Sequence, residues 1–435
     1  MAAEREKAAG RRVTKRERSW ILYDWANSAY SIIITTAIFP IFYEAITPEE
    51  AYVATWGFAN SIASLAVAVL APFLGTIADY PGYKKRLFAT FFGLGVISTF
   101  SLFFMSQGQW VAAIIIYGLS VIGFAGANLF YDAFLVDVTT SERMDRISSY
   151  GFGFGYIGGS TIPFVLSILM ILNYEALGLA SETHAYRVAF VLTAAWWALF
   201  AIPMLRDVRQ EYHVAPSATP IRDSINRLLH TFRHIRRYRN IFVFLIAYFF
   251  YIEGVNTIIR MATPIARSMG IEQNMLILIL LMIQVTAFPF ALLYGRLATR
   301  FSARRMIFVA IVIYTGVVFL AFFLPTVPDL QTRTILFWVL ALLVASSQGG
   351  IQALSRSYYA VFVPREKSTE FFGFYNIMGK FSSIVGPALV SGFTLITGEE
   401  RYGVLTVLGL FLVGGLILSR TRSDAVQQND RGVTE

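Results

Sequence analysis

Long apolar runs, broken by short clusters of charge, Pro and Gly, set the pattern of this chain from Trp20 to Arg420. Each run is long enough to cross a hydrocarbon layer of about 30 Å as a helix. Twelve can be counted, and the polar stretch 207–240 divides them six and six. Within that stretch Ile221, Ile225, Leu228, Phe232 and Ile235 recur at helical spacing between Arg and His. This spacing predicts an amphipathic helix on the inner membrane surface. The expected organisation is an arm over 1–19, a first bundle over 20–206, a linker over 207–240, a second bundle over 241–420 and a tail over 421–435. Both ends and the linker are expected on the cytoplasmic side. The fold class is all-α integral membrane, with twelve transmembrane helices in two pseudo-symmetric six-helix bundles.

Composition agrees. Hydrophobic residues make up 56% and charged residues only 14%, against about 25% charged in ordinary soluble domains. The net charge of +9 suggests nucleic acid only until its distribution is read. Of the 36 Lys and Arg, 29 fall in the segments expected inside and 4 in the outer loops. This is the bias that orients membrane proteins, so no nucleic-acid partner is expected. A multi-pass membrane location, a monomer and contact with membrane lipids are. The first nineteen residues are too charged for a secretory leader. Cys is absent, and His184, His213, His230 and His234 lie in expected loops or the linker. No metal site, no cofactor and no enzyme chemistry is therefore expected.

The halves share traces of duplication. GTIADYPGYKKR from Gly75 pairs with GRLATRFSARR from Gly295, and YDAFLVD from Tyr131 pairs with YYAVFVP from Tyr358. Each member of the second pair precedes an aromatic, Gly-rich run containing Pro. Duplicated bundles place a substrate path at their interface near mid-membrane. The run GFGFGYIGG (151–159) superficially matches a nucleotide-binding pattern. It follows no strand, and close helix packing is the better reading.

GTIADYPGYKKR resembles the Gly-x-x-x-Asp-Arg-x-Gly-Arg-Arg loop of the major facilitator superfamily. Gly75, Asp79 and Gly82 match, Lys84 and Lys85 stand for the basic pair, and Tyr80 replaces the Arg. The second copy has Thr299 where Asp79 stands. YDWANSAY (23–30), NLFYDAFLVD (128–137), and SRSYYAVFVP with FFGFYN resemble the vacuolar amino-acid effluxer branch, which has autophagy-related yeast members and bacterial ones. The resemblance implies a secondary active or facilitated transporter working by alternating access. It further implies a small polar solute, an amino acid or similar zwitterion, moved by efflux. A lipid or lysolipid transporter of the same fold is the alternative.

Charge inside the apolar runs marks the candidate site, because a buried charge costs about 2.5–3.5 kcal/mol at a helix centre. The first run, WILYDWANSAYSIIITTAIFP, holds Asp24, Asn27 and Tyr30 at i, i+3 and i+6. This stripe is expected to face the central cavity. Asp132, Glu253, Arg260 and Arg356 complete the substrate-binding or coupling set. Glu253 and Arg260, seven residues apart, fall on one helix face. Arg could take a carboxylate, and Asp or Glu an ammonium or a coupling proton. The competing reading of Asp24 is a structural ion pair. Gly75, Asp79, Gly82, Lys84 and Lys85 are expected to form a latch at the inner face, where the acid at a helix C-terminus needs a partner. Lys380 is a further gate candidate.

Overall fold

The computed structural model describes residues 12–233, 238–381 and 385–421. Most of the N-terminal arm, the tail, and His234 and Ile235 of the linker lie outside them, as do the side chains of Phe232 and Lys380. All described secondary structure is helical.

The first half contains α1 (Lys15–Ile46), α2 (Glu49–Ala78), α3 (Tyr83–Phe104), α4 (Trp110–Val138), α5 (Ser141–Leu172) and α6 (Glu182–Asp207). The linker carries α7 (Pro220–Arg233). The second half contains α8 (Arg239–Arg267), α9 (Met275–Phe301), α10 (Ala303–Thr326) and α11 (Leu330–Phe362). It ends with α12 (Ser368–Phe381), α13 (Val385–Thr397) and α14 (Glu400–Ser419). Eleven of these helices are long and apolar enough to cross a membrane by themselves. The shorter α12 and α13 occupy the remaining position. This is the twelve-helix arrangement that the apolar runs predict.

Local chemistry fixes several helix ends. Thr14 and Glu17 form a capping box at the start of α1. Ser181 caps α6 and Asp329 caps α11. Gly82 turns the chain between α2 and α3 at φ +76°. Two spans depart from α geometry. α1 winds as a π-helix over Ser31–Ala37, and α5 does so over Gly155–Thr161. The threonines there take carbonyls: Thr35 and Thr36 donate to Ser31 O, and Thr161 donates to Tyr156 O.

The halves meet along two seams: α2 packs on α12, and α5 packs on α9 and α11. Glycine allows the close approach. A Cβ at Gly75 would collide with the Thr369 carbonyl of α12, and one at Gly295 would press on Ser149 of α5. The GFGFGYIGG run serves packing too. Cβ atoms at Gly158 and Gly159 would strike Trp25 of α1.

Candidate functional site

A cavity of about 410 Å³ lies between the halves. Ser28, Ser31 and Thr36 of α1 and Tyr156 and Ser160 of α5 line one side. Asn256 and Thr263 of α8, Gln284 of α9, and Gln348 and Gln352 of α11 line the other. Both π-helical segments border it, a placement common at functional sites. No lining residue carries a formal charge. The floor crosses the interface, where the Tyr156 hydroxyl lies 3.4 Å from Gln352 Oε1.

Below the floor lies a charged cluster. The Arg356 guanidinium reaches Asp24 Oδ2 at 3.2 Å and Asp132 Oδ1 at 3.1 Å. It also donates to the Ser148 hydroxyl (2.9 Å) and carbonyl (3.1 Å). Its Cζ lies 4.6 Å from the centroid of the Trp20 ring, 5.3 Å from that of Tyr131 and 4.4 Å from that of Phe152. Phe152 also lines the cavity, so one ring separates cavity from cluster. Arg356 comes from the second half and both acids from the first. An arginine can satisfy two carboxylates at once because its donors form a rigid fork.

Nearer the end that gathers the basic loops, the halves are again bound together. Asp79 accepts the backbone N–H groups of Thr369 (2.9 Å) and Glu370 (3.1 Å) in the first turn of α12. A helix N-terminus offers free donors and positive potential to an anion. Buried Lys84 donates to Asp137 (2.7 Å) and, across the interface, to Ser368 (2.8 Å). Lys85 instead donates to Val208 O of the linker at 2.8 Å, and Gly82 N–H to Gln210 Oε1 at 3.0 Å. Asp79 sits past the end of α2. Burial pushes its carboxyl up to about 7, against the lowering by Lys84, the Thr369 N–H and Arg227.

The sequence-derived site residues therefore separate into groups. Asp24, Asp132 and Arg356 come together, and Asp24 is an ion-pair partner as the competing reading has it. The stripe expected to face the cavity does not. Asn27 donates to Asn128 of α4 (2.7 Å), and the Tyr30 hydroxyl meets Ser120 of α4 (2.7 Å). The neighbouring stripe, Ser28, Ser31 and Ile32, faces the cavity, and the extra residue in the π turn brings Thr36 onto it. Glu253 and Arg260 share a helix face but not an environment. Glu253 is fully buried, accepts the Gly386 N–H, and leaves Oε2 without a hydrogen bond. Arg260, about 10.5 Å further along the axis, is exposed. Glu253 packs against Gly386 of α13, and Arg260 lies within electrostatic reach of Tyr117 of α4. Neither residue lines the cavity. The polar part of the lining is made of amides and hydroxyls, which buried charge does not reveal. Gln348 and Gln352, at i and i+4, were the available signal.

Comparison with known proteins agrees with this architecture. The family described as "Vacuole effluxer Atg22 like" matches residues 51–140 and 135–429. The MFS-type transporter YxiO of Bacillus subtilis (strain 168) is 48% identical over 430 residues, 97% of this chain and 99% of that protein. Autophagy-related protein 22 of Eremothecium gossypii is 22% identical over 87% of this chain and 79% of its own length. Among solved structures, the proton:xylose symporter XylE superposes with a TM-score of 0.69 at 12% identity, covering 94% of this chain and 95% of that one. An outward-facing bacterial homologue of the iron transporter ferroportin superposes with a TM-score of 0.66 at 12% identity, covering 94% and 99%. With matches over most of its length and a cavity between two joined helical bundles, the chain belongs to the Atg22-like family of major facilitator transporters.

Proposed function

We propose that this transporter carries a small polar solute without net charge, an amino acid or similar zwitterion, and exports it by alternating access. The observation that carries the reading is the cavity itself. It is large enough for such a solute, it sits at the interface of the halves, and ten of its lining residues offer hydroxyls or amides. A net charge would lose its water there without gaining a counter-ion. The remaining lining residues are apolar, among them Ile258, Leu280 and Phe337, and the lysophospholipid arm of the test below addresses a lipid substrate. Efflux is supported by the description of the matching family.

In this reading the bundles 20–206 and 241–420 are the moving bodies, and the segments 1–19, 207–240 and 421–435 lie in the cytoplasm of a bacterium. The basic excess supports that orientation. The Asp24–Arg356–Asp132 cluster is the inner gate beneath the cavity. Two acids to one base leave room for a coupling proton when the halves part. The Gly75–Lys85 loop is the latch, and the protein works as a monomer.

The test is thermal stabilisation of the purified protein by serine, glutamine, lysine, glutamate, a polyol and a lysophospholipid. Serine or glutamine should stabilise it, and Gln348→Ala should weaken the effect. Stabilisation by lysine, glutamate or the lysolipid, with none by the neutral amino acids, would overturn the reading.

A further inference from the structure

Two buried carboxylates, one from each half, meet at the closed basic end. Asp79 ends α2, and Glu370 lies in the first turn of α12. Like charges drawn together away from water oppose closure unless a cation lies between them. Lys367 of the second half acts on Glu370 only at longer range, and among the described residues the ion pair within 4 Å is made from outside the bundles. It comes from the linker. Arg227 of α7 places Nε 3.3 Å from Glu370 Oε2 and Nη2 3.9 Å from Asp79 Oδ2. The first contact is an ion pair without hydrogen-bond alignment. Arg227 also donates to the Thr76 carbonyl at the end of α2, and its guanidinium lies 5.1 Å from the Tyr80 ring. One turn on, the Thr231 hydroxyl donates to Glu370 Oε1 at 2.5 Å.

The rest of the linker follows the same loop. Val214 N–H donates to Asp79 O at 2.9 Å, and Gln210 Nε2 to Ala78 O at 3.1 Å. Arg365, from the second half, reaches the Tyr212 hydroxyl at 2.7 Å. The linker is thus bonded to both halves where they must part.

We propose that Arg227 is a positioning residue of the gate. It bridges Asp79 and Glu370, so that the linker helix must release one half before the basic end can open. Tyr80 makes this possible. It stands where the resembling loop pattern has Arg, and its ring leaves the cation's place to be filled from α7. The inference rests on the alternating-access reading above.

The chain has no Cys, so Arg86→Cys and Glu366→Cys give a clean spin-label pair. Both positions are exposed, one in each half. Distance distributions are measured on the full-length protein in lipid vesicles. Arg227→Ala should raise the long-distance population about tenfold, the scale of losing one charged hydrogen bond, to Thr76 O, together with two ion pairs. Arg227→Lys should restore part of the closed population, a recovery that a mere packing role would not give. Thr231→Val should shift it the same way by less, and decides the matter if Arg227→Ala does not fold. Arg356→Ala serves as the independent opening of the gate. If it shifts the distribution while Arg227→Ala and Thr231→Val do not, the linker role is wrong and the gate stands. If none of the three shifts it, both fall.

Discussion

The two copies of the duplicated loop have the same geometry and different chemistry. Gly75 brings α2 against α12, and Gly295 brings α9 against α5. Past the first glycine, Asp79 reaches across and holds two N–H groups of the facing helix. Past the second, Thr299 turns back on its own helix and donates to Arg296 O at 2.7 Å. Close approach is therefore the property both copies keep, and an electrostatic hold exists in one. The linker helix docks on that copy. The central cluster repeats the asymmetry. Asp132 lies in the first YDAFLVD copy, the matching position of the second copy is Tyr359, and the second half supplies the base Arg356 instead. Duplicated halves here have diverged into complementary ones.

The largest break in this scheme should come from the cluster. Arg356→Ala leaves two buried acids without a counter-charge, a loss of about 3–5 kcal/mol. The expected outcome is a marked fall in melting temperature together with loss of solute transport in reconstituted vesicles. Asp24→Asn keeps the shape and should cost less. If it transports fully and folds normally, Asp24 has no part in the mechanism.

The asymmetry between the loops is tested next by Asp79→Ala against Thr299→Ala. Asp79→Ala should weaken the closed basic end by about 1.5–3 kcal/mol, the worth of hydrogen bonds to a charged group. Thr299→Ala should stay within about 0.5 kcal/mol, as surface changes do. Equal shifts in the spin-label distances would show that the two copies hold alike.

The smallest effect expected is on pH. The closed state holds the Asp79 carboxyl near 7, raised from 3.8 by burial. An opened basic end returns it to water and toward its ordinary value. The closed state thus binds the proton more tightly, so its advantage is complete below about pH 4 and declines as pH rises through 7. Between pH 6 and pH 8 the closed-to-open ratio should fall about tenfold. Asp79→Ala should remove that dependence, and a slope of opposite sign would contradict the burial argument.

The helical spans were legible because a membrane-crossing helix needs an apolar run of fixed length, and the chain shows such runs plainly. The partner of Asp79 was legible in kind: an acid at a helix C-terminus requires compensation, and the N-terminus of α12 provides it. The direction of the first stripe was not legible. Asn27 and Tyr30 are polar and could face water, but Asn128 and Ser120 of α4 satisfy them in packing. The π turn at Ser31–Ala37 also shifts the helical face by one residue, which no fixed period of 3.6 anticipates. Arg227 could not be assigned to the gate from a linker that reads as a basic amphipathic helix.

By itself the sequence determined the class of the molecule, its apolar spans, the repeated motifs and part of the buried charge: Asp24, Glu253 and Arg356 are buried, whereas Arg260 is exposed and buried Glu370 and Asp137 carried no signal. Hydropathy, charge bias and repeated motifs are local properties of the chain, and they survive without coordinates. Only the tertiary structure decided which polar groups meet one another and which face the cavity. That depends on helix rotation and on contacts hundreds of residues apart, such as Arg356 with Asp24. A buried polar group must find a partner, and its own segment does not say whether that partner is a solute, a backbone amide or a side chain of the other half.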